Sequence, residues 1–192
     1  MPACVVNLST IIPDCDALTS IAGVRNFGYF CRRIDITGYT KATDGTITGV
    51  TIPAAKLKKF ETQKFQNSGA FGVAPSTIGK TRFSQTYLWR IYYSTQADRN
   101  AMEALILAED IVIFSPNNDS QFEVYGAALG LAATTVAGGT GTKIDDDNTA
   151  LLTFTGAEPG LPPIFNTVTP ATADKEADFQ ANISYLDLLV GP

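Results

Sequence analysis

Histidine is missing from all 192 residues, which removes the Ser-His-Asp triad, the Cys-His dyad and every histidine metal site. Cysteine is scarce. Cys4, Cys15 and Cys31 form an odd set without a Cys-x-x-Cys pair, which argues against zinc binding and thioredoxin-like chemistry. Reduced thiols suit a protein made in a cytoplasm, and a disulfide between two of the three stays open. No apolar run approaches the ~18–20 residues of a membrane-spanning helix. The first ten residues have neither the basic start nor the long apolar stretch of a secretory signal, so none is expected. With 45% hydrophobic and 17% charged residues, the chain is not disordered, collagen-like or coiled-coil. Its length suits one domain able to bury a core, with extensions.

What charge there is falls unevenly. Residues 1–93 hold 11 Lys/Arg and 5 Asp/Glu, and residues 94–192 hold 3 and 14, giving balances of +6 and −11 and the net −5. Opposed charge on two faces or edges suits head-to-tail contact between copies. The plainer reading is a surface on which the charges mix after folding, since halves of a sequence need not be halves in space. Net acidity argues against nucleic-acid binding as the main task.

Local patterning predicts a mainly-β domain. Residues 1–20, with Pro2 and Pro13, read as an arm. Residues 24–36 alternate as a strand whose phase changes at Arg32-Arg33, which predicts a bulge. Asp44-Gly45 marks a turn before the β-branched run 46–52, expected to pair back as a hairpin. Residues 56–65 are basic and aromatic, and a polar, glycine-bearing loop is expected from there to about Lys80. Residues 82–93 form the clearest strand, with Phe83, Tyr87, Trp89, Ile91 and Tyr93 on one face and Arg82, Ser84, Thr86 and Arg90 on the other. One helix is predicted, about 95–109, with a Thr95–Asp98 capping box. Its small stripe (Ala97, Ala101, Ala104, Leu105, Ala108) would let it sit close to a sheet. Strands at 111–114, 121–126, 130–136 and 150–155 follow. From Pro159 a Pro-rich extension reaches Pro192, with only a weak segment at 183–190. The expected organisation is an arm over 1–20, a β domain over 21–158 and an extension over 159–192.

Three motifs invite function. Residues 74–81, Ala-Pro-Ser-Thr-Ile-Gly-Lys-Thr, match a relaxed phosphate loop, but the residues that follow alternate as a strand. Without a helix amino terminus the loop lacks the free amides that hold phosphate. Residues 143–148, Lys-Ile-Asp-Asp-Asp-Asn, gather oxygen ligands without EF-hand spacing and read as a solvated acidic loop. The basic-aromatic run 56–65 fits an intersubunit contact, a nucleic-acid contact or plain surface. No carboxylate pair stands out by spacing. No catalytic residue, metal or cofactor is expected.

The order of local signatures goes further. Ala22-Gly23-Val24-Arg25 opens the first strand. The aromatic strand ends Leu88-Trp89-Arg90-Ile91-Tyr92-Tyr93. The helix Arg99–Leu105 and the strand Asp110-Ile111-Val112-Ile113-Phe114 come directly after it. Then come Phe122-Glu123-Val124-Tyr125-Gly126, Leu129-Gly130-Leu131, Thr140-Gly141, Asp145-Asp146-Asp147-Asn148 and Leu151–Glu158. In this order the chain resembles bacteriophage virion proteins of the tail-tube type, especially those of phages infecting Bacteroidetes. The resemblance covers roughly residues 20–165. Pro116-Asn117-Asn118-Asp119 stands where the family often has an Asp-Asn-Gly turn, and residues 65–80 and the tail after Pro163 have no clear counterpart.

The resemblance implies a β-sandwich or partial barrel with one flanking helix. It also implies assembly into a ring, six-fold, whose inner strands join into one barrel, and stacking of rings into a tube that passes DNA. Partners would be further copies and other tail or connector proteins, with DNA as cargo only, no membrane, and a place in the virion. On that expectation Lys58, Phe60, Phe65, Phe71, Lys80, Arg82 and Arg90 contact neighbouring copies. Asp145, Asp146 and Asp147 face an acidic lumen. Alternatives are a head-tail connector, terminator or baseplate ring of the same fold, or a capsid decoration protein or adhesin.

Overall fold

The computed structural model describes residues 23–63, 66–74, 82–93, 95–139, 149–168 and 171–190. Six strands precede the first helix: β1 (Phe27–Arg32), β2 (Gly38–Lys41), β3 (Ile47–Thr51), β4 (Lys58–Glu61), β5 (Ser68–Ala74) and β6 (Arg82–Tyr92), of which β6 alternates most clearly. After helix α1 (Gln96–Leu107) come β7 (Ile111–Pro116), β8 (Phe122–Tyr125), β9 (Ala132–Gly139), β10 (Thr149–Glu158) and β11 (Ile164–Phe165), then helix α2 (Lys175–Val190). The larger sheet has seven strands in the order β2-β3-β11-β8-β7-β1-β4, and the smaller has four, β5-β6-β10-β9. The protein is mainly β, with two sheets and two helices.

Two apolar layers hold these parts together. Phe30, Ile111, Ile113 and Tyr125 of the larger sheet meet Tyr87, Trp89, Leu152 and Phe154 of the smaller, with Leu105 of α1 at the margin. On the other face of the larger sheet, Tyr29, Val112, Phe114, Phe122 and Phe165 pack under Phe179 and Leu186 of α2. Strands β1 and β7 are buried on both faces for this reason, and Val112, Ile113 and Phe114 lose all exposure. Cys31 is a buried free thiol in this layer, and burial pushes its pKa up to about 12.

Several local expectations meet the structure directly. The Thr95–Asp98 capping box forms in both directions, at 3.2 and 2.9 Å. The Asp44-Gly45 turn joins β2 to β3, with Gly45 at φ +94 and the Asp44 carboxylate accepting from the Thr46 amide and hydroxyl. The phase change at Arg32-Arg33 is a turn of 3-10 helix over Arg33–Asp35 rather than a bulge. Residues 65–80 are not simply loop, because β5 lies among them, paired with β6 over seven residues. Within 159–192, β11 joins β3 and β8, and α2 is a second helix beside the single one expected.

α2 is tied to the sheet by polar groups as well as apolar ones. Arg25 and Ser120 bond the Glu176 carboxylate at 3.3 and 2.6 Å, and the Asp187 carboxylate accepts from the Tyr29 hydroxyl at 2.7 Å and the Lys59 ammonium at 3.1 Å. The Tyr185 hydroxyl lies 3.2 Å from the Val50 amide and donates to the Val50 carbonyl at 2.9 Å. Hydrogen bonds from Ser120 and Gln180, then the Arg25 charge, hold the Glu176 carboxyl below its usual range. The Thr172 hydroxyl and amide do the same for Asp178. A carboxyl with a depressed folded-state pKa stabilises the fold above its unfolded value and loses that contribution as pH falls through the folded value. Urea midpoints followed by circular dichroism should therefore be flat down to about pH 4 and fall below it, in the ordinary carboxylate range. Glu176→Gln should flatten that acid limb, and an unchanged limb would show that the α2 clamp does not set acid stability.

Candidate functional site

The smaller sheet presents one covered and one open face. Gln85, Tyr87, Trp89 and Ile91 of β6 alternate inward with Ala150, Leu152 and Phe154 of β10, all buried. The outward face carries Ser84, Thr86, Leu88, Arg90 and Tyr92 opposite Ala157, Thr155, Thr153, Leu151 and Thr149. It is small, rich in hydroxyls and free of carboxylates among the described residues. Arg82, exposed at the start of β6, and Arg90 are its cations. Arg90 is half-buried, with Nη1 donating to Thr149 Oγ1 at 3.2 Å and its backbone amide donating to Asn67 Oδ1 at 3.1 Å.

The two outer strands of this sheet are bare. β5 pairs only with β6 and β9 only with β10 among the described residues, so each leaves a row of backbone donors and acceptors without a strand partner. Neither carries a charged residue or a proline: β5 reads Ser-Gly-Ala-Phe-Gly-Val-Ala, and β9 reads Ala-Ala-Thr-Thr-Val-Ala-Gly-Gly. The outer strands of the larger sheet are guarded instead, β2 by Lys41 and β4 by Lys58, Lys59 and Glu61. Phe71 and Val73 on β5 are 56% and 70% exposed, and Val136 on β9 is 44% exposed. Leu161 and Ile164 are also exposed on the chain leading into β11. The β5 margin lies over this part of the larger sheet: Gln85, which pairs with Phe71, donates to the Gly160 carbonyl at 3.0 Å and accepts from the Gly126 amide.

Strand direction decides what these edges can do. Each neighbouring pair in the order β5-β6-β10-β9 is antiparallel, so β5 and β9 run oppositely. A second copy rotated about a common axis would meet β5 of the first with its β9 as an antiparallel pair, and the step repeated would close a ring where its rotation divides a full turn. No protein family, curated protein or solved structure matches the chain.

The sequence-based interface set divides accordingly. Phe71, Arg82 and Arg90 share the smaller sheet, Phe71 on the face of Gln85 and the two arginines on the open face, whereas Lys58 and Phe60 stand on β4 of the larger. Phe60 is half-buried edge-on against Phe30, with ring centroids 5.2 Å apart. Phe65, Lys80, Asp145, Asp146 and Asp147 lie outside the described residues, as do the phosphate-loop-like segment beyond Ala74 and the acidic run 143–148. Val73 and Val136 were missed. Their signal was the absence of charge over 68–74 and 132–139, which is legible only once those residues are known to be edge strands.

Proposed function

We propose that the chain is a structural subunit of a bacteriophage tail tube, joined to its neighbours through β5 and β9 into a ring of continuous sheet. The observation that carries this reading is the pair of bare, oppositely directed edges on one sheet, beside another sheet whose edges are guarded by charge. Bare edges invite pairing in a monomer, and ring closure uses both without leaving one free. The open face of hydroxyls and small side chains then lines the bore, with Arg82 and Arg90 on its strands. Acidic repulsion of passing DNA would come from Asp145, Asp146 and Asp147, on the connection between β9 and β10. The two packed sheets act as a sandwich that keeps the bore strands in place, stacked rings extend the channel, and the virion tail is where the protein works.

Negative-stain electron microscopy across a concentration series tests the reading. Rings stacking into hollow tubes are expected. Phe71→Lys and Val136→Lys place a charge on each edge strand and should leave folded monomers, seen as unchanged circular dichroism with loss of rings. Wild-type rings that never stack would favour a connector, terminator or baseplate ring. Assembly undisturbed by both substitutions would remove β5 and β9 from the interface and this reading with them.

A further inference from the structure

Between α1 and strands β1 and β4 runs a cleft of about 400 Å³, within the ligand-sized range of roughly 300–1,000 Å³. Phe30, Phe60, Leu105 and Ile111 form its apolar lining, and Ala101 and Ala104 keep it open because they are short. The alanine stripe of α1 thus borders a gap instead of bringing the helix down onto the sheet: Ala108 is buried, but Ala104 is exposed. β4 forms one wall and is the outermost strand of its sheet, paired with β1 alone among the described residues.

The charges round the cleft are mostly spent. Arg32 is bonded to Asp110 at 2.7 Å, Lys59 reaches Asp187 at 3.1 Å on the α2 side, and Lys56 stands 3.9 Å from Asp35. Lys58 is different. It pairs in register with Phe30, shares the cleft-side face with Phe60 two residues on, and has no ion-pair partner among the described residues. An unpaired lysine on an edge strand discourages neutral and basic strands and accepts an acidic one.

We propose that this cleft docks an extended acidic segment of a partner protein, which adds to β4 as an eighth strand. The segment sets a carboxylate on Lys58 and an apolar side chain, two residues along, over Phe60 and Ala104. Main-chain pairing to β4 supplies affinity, while the lysine and the alanine-walled gap select the sequence. The inference does not depend on the ring, because β4 belongs to the sheet whose edges ring closure leaves alone.

The test is a titration of the isotope-labelled full chain, followed by amide chemical shifts. The probe is a blocked heptapeptide alternating valine and threonine with one central aspartate, and its counterpart carries lysine at the centre. Saturable shifts are expected at Lys58–Glu61 and along Ala101–Ala108, with the lysine peptide about tenfold weaker, the worth of one charge-assisted pair. Lys58→Glu and Ala104→Leu should each weaken the aspartate peptide about tenfold, and both sit on exposed positions that leave folding intact. If copies assemble, the titration is run on Phe71→Lys, whose substitution lies on the other sheet, so failure of the ring reading and of this one are read separately. No saturation at millimolar peptide, equal binding of both peptides, or shifts centred on β5 or β9 would overturn the proposal. Tighter binding by a peptide of residues 3–12 of this chain would also overturn it, by assigning the cleft to a second copy.

Discussion

Gly130→Ala should lower the unfolding free energy by more than about 3 kcal/mol, among the largest effects of any single methyl group in this protein. Two causes act together. Gly130 has φ +88, which an L side chain adopts only with strain, and a Cβ there would stand 2.6 Å from Asp110 Cα and 2.7 Å from its carbonyl carbon. Backbone cannot swing aside as a flexible side chain can. Asp110 is further held by Arg32 and by the Ile34 amide at its carboxylate. Gly45 separates the two causes. It has φ +94 with nothing within 4 Å, so Gly45→Ala measures the conformational strain alone, about 1–2 kcal/mol. The difference between the two variants in urea denaturation is the steric part. Equal losses would show that the 126–130 turn yields at no cost and that the close approach to Asp110 does not constrain it.

Glu158→Ala should also be damaging, at about 2–3 kcal/mol, the upper part of the scale for backbone donors that lose their acceptor. Glu158 ends β10 and is only 2% exposed. Its carboxylate accepts from three successive amides of the turn after β8: Ala128 at 3.0 Å, Leu129 at 2.9 Å and Gly130 at 3.1 Å. The turn is an amide nest, and a side chain from the smaller sheet fills it and so pins that sheet to the larger. Alanine would take the carboxylate from the Ala128 and Leu129 amides and leave the Gly130 amide only the Gly126 carbonyl, 3.0 Å away. Glu158→Gln keeps one oxygen but turns an amide donor toward a backbone donor, so its loss should be intermediate, about 1–2 kcal/mol. Faster hydrogen exchange at residues 128–130 in Glu158→Ala would locate the damage. A variant within about 0.5 kcal/mol of the parent, the range of neutral surface changes, would remove the nest from the stability of the fold. Gly130 and Glu158 meet at one amide, so the losses of the double variant should not add.

These two residues mark how far the sequence could be read. β6 was legible because five bulky residues alternate with polar ones over twelve positions, and only a half-buried strand places them on one face. The start of α1 was legible for a local reason, since Thr95 and Asp98 satisfy each other's amides within one turn. The candidate site was half legible. Arg82 and Arg90 stand on a strand as expected, but Phe71 lies in β5 where a loop was expected, and Lys58 and Phe60 belong to the other sheet, because β4 pairs with β1 across a separation that local sequence does not record.

Local sequence by itself determined the mainly-β character, the strongest strand, the turn at Gly45 and the capped start of the first helix, because each depends on residues within a few positions of one another. Tertiary structure alone decided the rest. β5 is built of serine, glycine, alanine and two exposed apolar residues, with no period of its own, and becomes a strand because β6 offers seven partners. α2 has apolar residues on several sides, from buried Phe179 and Leu186 to Leu188 at 83% exposure, so no stripe announces it. It is held as a helix over the sheet by Tyr29, Val50, Ser120 and Thr167, which are distant in sequence. Glu158 looked like one carboxylate among nineteen, and its place in the amide nest arose only when β10 and the turn at Gly130 were brought to the same end of the two sheets. Alternation and capping are short-range and can be read along the chain. Edge exposure, nests and clefts are relations between segments far apart, and the packing of the two sheets creates them.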